Sequence, residues 1–183
     1  IDSPLFSICK NNYLNYENFK WNKNKETREH FEEKIIDFIS KQGTVNLIVC
    51  AGWDHILTDY FLSKYNYNVI NLHPALPNTF TGLNCIKKAF DSFQRGEITY
   101  TGSMVHYVSN ELDKGKVIQT IKVPIYKNDT YEKLESRQKL LEKGILISSI
   151  QQLITKHSSD IVDFINTSQE IYNGKVRDVC HYD

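Results

Sequence analysis

Residues 69–83 read VINLHPALPNTFTGL, and this stretch constrains the fold more than any other. An apolar run ends in Asn71 and His73, two positions apart, so a strand there puts both side chains on one face. Pro74 and Pro77 follow at once. Neither offers a backbone N–H, and the residue before each is held extended, so the strand stops and opens into a loop. The two polar side chains therefore stand at the carboxyl end of a strand, where open α/β sheets hold their ligands.

Around this stretch the hydrophobic period switches repeatedly between helix and strand. Phe31, Ile35, Phe38 and Ile39, following Thr27, predict an amphipathic helix. Residues 45–50 (VNLIVC), closed by Ala51-Gly52, predict a buried parallel strand, and a helix follows over 58–65. After the opening stretch come a helix over 85–93 that stops near Gly96 and a strand over 101–108 (TGSMVHYV). The turn-rich NELDKGK segment, 110–116, then joins it to a strand over 117–125, and these two strands are expected to pair antiparallel. Asp129 with Glu132 gives an acidic N-cap signature for a long helix carrying Leu134, Leu141, Ile145, Leu153 and Ile154, with Gly144 as an interruption. Residues 1–9 read as a short strand, 10–25 as a loop, and Asn173-Gly174 as a hairpin turn in the tail. The expected architecture is α/β, an open mostly parallel sheet with an antiparallel edge.

A chain of 183 residues with 40% hydrophobic content fits one domain, residues 1–183. Lys plus Arg and Asp plus Glu balance at 22 each, which removes any bulk electrostatic case for nucleic acid or an anionic membrane. No apolar run approaches the roughly 20 residues needed to span a bilayer. Cys9, Cys50, Cys85 and Cys180 are scattered without a CxxC pair, which suits reduced thiols in a cytoplasmic protein.

Two strand ends carry candidate chemistry, Ala51 to Leu57 and Asn71 to Pro77, and a third group can join them. Asp113, in the turn after the 101–108 strand, can reach the same crevice, with His106 on the strand behind it. Amide and imidazole N–H groups stabilise a developing oxyanion, while a carboxylate orients the His and handles protons. The bland alternative is a turn-capping Asn and a His satisfied within its loop. Neither a metal motif such as HExxH nor a GxGxxG or GxxxxGK[ST] phosphate cradle is present, so no metal is expected.

The segments AGWDHIL, NLHPALP with Gly82 beyond it, GSMVHYVSNELDKGKVI and IYNGKVRD resemble, in order and interval, the phosphoribosylglycinamide formyltransferase (GAR transformylase) family. The resemblance implies a formyltransferase-like, Rossmann-related sheet and transfer of formyl from 10-formyltetrahydrofolate, a co-substrate, to the amine of glycinamide ribonucleotide in purine synthesis. It places the family's catalytic residues on Asn71, His73 and Asp113, with His106 in support. It places formyl-donor contacts on Arg28, Asp54, His55, Ile56, Leu57, Ser109, Asn110, Glu111 and Leu112, together with Asn71 and Asp113. Contacts to the nucleotide substrate fall on Lys139, Leu140, Leu141 and Glu142, the last as a ribose contact. The family's opening strand, its phosphate-gripping loop and the helix and strand that follow have no counterpart in the sequence, so the catalytic domain is expected to be N-terminally incomplete. HPALPN stands for the commoner HPSLLP, Asn84 and Ile86 stand at positions often His, and Asp54 and His55 stand where Met and Arg are common. Two alternatives share the motifs: another folate-dependent formyltransferase or deformylase of this fold, and a non-catalytic folate-binding relative.

Overall fold

The structure is a computed structural model and describes residues 4–66 and 68–155. The chain divides into two compact units, one of Ile1–Asn22 with Gln151–Asp183, the other of Lys23–Ile150. In the first, residues 4–11 form helix α1 (Pro4–Asn11) where a strand was expected. Leu5, Ile8 and Cys9 recur at i, i+3 and i+4, a helical spacing, and the segment lacks the alternation of a half-buried strand. The Asn173-Gly174 turn and Cys180 lie outside the described residues.

The second unit runs α2 (Arg28–Ser40), β1 (Ile48–Cys50), α3 (Asp59–Lys64), β2 (Val69–His73), α4 (Cys85–Gln94), β3 (Tyr100–Tyr107), β4 (Val117–Pro124) and α5 (Tyr131–Thr155), which continues into the first unit. Local chemistry sets the helix starts. Thr27 accepts from the His30 N–H at 3.2 Å, and Thr58 from the Phe61 N–H at 3.3 Å, each filling one orphan donor of a first turn. The cap of α5 is Thr130, whose hydroxyl takes the Lys133 N–H, rather than the expected Asp129. Asp129 instead accepts from the Tyr126 N–H and from both terminal nitrogens of Arg137, at 2.6 to 2.8 Å. A fork-shaped cation at i+8 outcompetes a single cap N–H for that carboxylate. Helix α5 also passes through Gly144 without a break.

The four strands lie in the order β1-β2-β3-β4. Among the described strands parallel pairing is confined to β1 with β2, and β2–β3 and β3–β4 are antiparallel. The open α/β sheet with an antiparallel edge is therefore present, and its parallel part is one pair. β1 is shorter and less buried than its apolar sequence suggests, because only Ile48, Val49 and Cys50 find partners on β2.

Two apolar clusters hold the unit together. Cys50, Leu57, Phe61, Leu62 and Val69 bury one, with Ile35, Ile36 and Ile39 of α2 against it. Ile86, Val123, Ile125 and Leu134 bury the other, joining α4, β4 and α5. The register sets Asn71 opposite His106 and His73 opposite Met104, so the sheet itself brings the polar groups of β2 and β3 together. No helix among the described residues is long and apolar enough to cross a membrane.

Candidate active site

His73 ends β2 and is buried, with 4% of its surface exposed. Its two ring nitrogens meet two acceptors. Nδ1 lies 3.3 Å from Asp113 Oδ1, and Nε2 lies 2.8 Å from the Phe80 carbonyl oxygen. A ring protonated on both nitrogens donates to each. Asp113 is clamped in turn, since its Oδ2 accepts the Gly82 N–H at 2.9 Å. The carboxylate therefore joins the loop after β2 to the turn after β3.

The shape of that second turn depends on a glycine. Asp113 has φ +57°, and two residues later a Cβ on Gly115 would collide with the Tyr107 carbonyl. Only glycine lets the turn fold back this closely onto β3, which is the physical content of the sequence Asp113-Lys114-Gly115.

On β3, His106 Nδ1 sits 2.9 Å from the Tyr107 carbonyl, which can only accept, so Nδ1 carries the proton. Burial holds His106 below the ordinary imidazole value, with His73 acting in the same direction and Asp113 against it. The neutral ring leaves Nε2 as an acceptor, 3.4 Å from Asn71 Nδ2. That choice of tautomer fixes the amide: its NH2 faces His106, and one of its two hydrogens stays unused. Asn71 Oδ1 is buried without a hydrogen-bond partner.

These groups border a cavity of about 260 Å³. Of the sequence-predicted donor contacts, Asp54, His55, Ile56, Leu57, Asn71, Ser109, Glu111, Leu112 and Asp113 line it, with His73, His106 and Gly82. Arg28 and Asn110 do not. Arg28 instead donates to the Ile56 carbonyl at 2.9 Å and pairs with Glu32 at 3.3 Å, so it holds the cavity loop from behind. Glu32, fully buried, accepts the Thr58 N–H at 3.1 Å and the Thr58 hydroxyl. Sequence reasoning missed Glu32, although a carboxylate at i+4 from Arg28 on the same helical face as Phe31 and Ile35 was a usable signal.

The four predicted nucleotide contacts lie outside this cavity. Lys139 pairs with Glu135 at 3.2 Å, Leu140 is 67% exposed, and Leu141 packs on the second core cluster. Glu142 turns inward and accepts from Ser103 Oγ at 2.8 Å. Burial raises its carboxyl above the ordinary value, against the hydrogen bonds from Ser103 and Gln138 and the charges of Lys139 and His73. Among the described residues no group of three His, Cys, Asp or Glu side chains is arranged to hold a metal ion.

A family model described as formyl transferase matches residues 8–150. The chain belongs to the formyl transferase family. The phosphoribosylglycinamide formyltransferase of Schizosaccharomyces pombe is 46% identical over 131 residues, 70% of this chain and 63% of that protein. The phosphoribosylglycinamide formyltransferase of Dictyostelium discoideum is 37% identical over 161 residues, 85% of this chain and 75% of that protein. The solved phosphoribosylglycinamide formyltransferase of Campylobacter jejuni superposes with a TM-score of 0.69 at 32% identity, covering 84% of this chain and 75% of that one. The chain thus spans 63% of the length of its S. pombe relative. Family membership agrees with the resemblance carried by the NLHPALP and ELDKG segments, and the open α/β sheet is the formyl transferase fold.

Proposed function

We propose that the intact protein transfers a formyl group from 10-formyltetrahydrofolate to the amine of glycinamide ribonucleotide, a step of purine synthesis. The observation that carries the reading is the buried His73–Asp113 pair beside Asn71 at the edge of the cavity. It is supported by relatives at 37% and 46% identity that bear the name phosphoribosylglycinamide formyltransferase.

The cavity walls fit a flat, partly apolar donor. Ile56, Leu83 and Leu112 border it and are 59%, 65% and 48% exposed, an apolar surface that a bound heteroaromatic ring would cover. The donor supplies the formyl carbonyl. As the amine adds to that carbon, negative charge grows on the oxygen, and the free Asn71 N–H and one N–H of His73 stabilise it. Releasing the Phe80 carbonyl costs His73 less than releasing Asp113, since a neutral acceptor holds an N–H donor more weakly than a carboxylate does. Nε2 is therefore the N–H that turns to the oxyanion. Asp113 orients the ring and takes the amine proton through a water; collapse of the tetrahedral adduct then breaks the carbon–nitrogen bond to the donor, whose nitrogen takes up that proton and leaves as tetrahydrofolate. His106 holds the Asn71 amide in its donating orientation. Glu142 meets the ribose hydroxyls, and residues 1–183 form part of one catalytic domain. Free thiols at Cys9, Cys50 and Cys85 fit a cytoplasmic setting.

The test is a transfer assay on the intact protein with 10-formyltetrahydrofolate and either glycinamide ribonucleotide or water as acceptor. The reading predicts formylated ribonucleotide as the main product. Free formate as the main product would make the protein a deformylase, and no turnover with either acceptor would leave a binding protein.

A further inference from the structure

Helix α5 reaches the catalytic loop through one fully buried amide. Gln138 Nε2 lies 2.9 Å from the Pro74 carbonyl, 2.9 Å from the Gly102 carbonyl and 2.9 Å from Ser103 Oγ, with Glu142 Oε1 at 3.4 Å. An amide nitrogen has two hydrogens, and the two carbonyls can only accept, so each holds one, and Ser103 Oγ and Glu142 Oε1 share them as second acceptors. Ser103 Oγ sends its own hydrogen to Glu142 Oε1. The orientation of the amide is fixed by this pattern, because the reverse would set its oxygen against two carbonyl oxygens. It leaves Gln138 Oε1 buried without a partner, a cost that a packed apolar side chain would avoid.

The contact is set at a sensitive place. Pro74 follows His73 directly, so its carbonyl is the first fixed point of the loop that carries the Phe80 and Gly82 contacts to the His73–Asp113 pair. Gly102 permits the approach: a Cβ there would collide with Leu76 of that loop and with the Ile121 carbonyl. Glu142 stands one helical turn beyond Gln138 on α5 and shares Ser103 with it.

We propose that Gln138 is a positioning residue for His73, and that through Gln138 and Ser103 the loop beginning at His73 responds when substrate hydroxyls engage Glu142. The second half rests on the proposed ribonucleotide substrate, and the first half does not. Hydroxyls donating to Glu142 compete with the Ser103 hydroxyl for the same oxygen. Ser103 Oγ, 2.9 Å from Gln138 Nε2, then turns its lone pairs to that amide and accepts an N–H otherwise held by the Pro74 or Gly102 carbonyl.

The experiment uses the intact protein with ¹⁵N-labelled histidine and reads the ring nitrogens of His73, before and after addition of glycinamide ribonucleotide without donor. Gln138→Met, which keeps length and packing but removes both donors, is expected to move the His73 resonances in the ligand-free protein. It is also expected to abolish their response to the nucleotide, and to lower kcat about 10-fold with the donor KM within about 2-fold. Ser103→Ala is expected to leave the ligand-free resonances in place and to weaken the nucleotide response. Unchanged ligand-free resonances in folded Gln138→Met overturn the positioning role. A full response in Ser103→Ala overturns the coupling, and this variant decides the matter if Gln138→Met does not fold. A wild-type protein that fails to bind the nucleotide overturns the coupling and the substrate assignment together, while the ligand-free comparison still decides the positioning role.

Discussion

Two loops line the same cavity and are held in opposite ways. The loop of residues 74–84 is held by groups assigned to the chemistry: His73 binds its Phe80 carbonyl and Asp113 its Gly82 N–H. The loop of residues 51–58 is held by Glu32 and Arg28, two residues of α2 that do not line the cavity. In the first loop the side chains proposed for catalysis also hold the loop geometry, so replacing either one is expected to disturb both. In the second they are separate, and a binding defect can arise with the reacting groups untouched.

The largest effect is expected where the two roles coincide. His73→Ala or Asp113→Asn should lower turnover at least ~100-fold in steady-state assays, since each removes a proton-handling group and the first also removes the Phe80 anchor of the loop. Glu32→Ala should act on the other loop. Removing the buried carboxylate takes one acceptor from Arg28 and breaks both Thr58 contacts, a loss of about 3 kcal/mol by denaturant unfolding. The donor KM should rise while saturated turnover stays within about 3-fold, and a fall in kcat matching that of Asp113→Asn would erase the distinction between the loops.

A smaller change is expected at His106. His106→Leu deprives the Asn71 amide of its acceptor and should lower turnover about 10-fold without altering the donor KM. The same residue makes stability pH-dependent. Its folded value lies below the ordinary 6.5, so the unfolded chain binds the proton first as pH falls. Stability is complete above 6.5 and is lost as pH falls toward the lowered folded value, a loss that His106→Leu should remove.

The smallest effect has the opposite sign. The Glu142 carboxyl is raised above 4.5 by burial, so its contribution to stability is complete below 4.5 and is lost as pH rises through the folded value. Glu142→Gln should therefore unfold a few degrees higher than the parent near neutral pH, with the gap closing below 4.5. A variant less stable than the parent at pH 7 would mean that the charge is better solvated than its burial implies.

What the sequence disclosed follows the same division. Asn71, His73 and Asp113 were legible because local chain chemistry marks them: a strand stopped by Pro74, and an Asp two residues before a glycine that lets the turn close. The β3–β4 pair was legible from its turn-rich connection. Glu32 and Gln138 were not, because each acts on a partner 26 or more residues away, Thr58 in one case and Pro74 and Gly102 in the other. Asp129 misled for a related reason, since the cap signature is local and the Arg137 that claims the carboxylate lies two turns along α5. Arg28, which the resemblance places at the donor, holds the Ile56 carbonyl of the cavity loop.

The most direct measurement is the turnover of the His73→Ala and Asp113→Asn variants beside the variant that carries both. Two residues acting as one unit on the same proton and the same oxyanion predict a double variant no slower than the slower single one. Losses that multiply, or a single variant with wild-type turnover, would contradict the assignment of His73 and Asp113 to one catalytic pair.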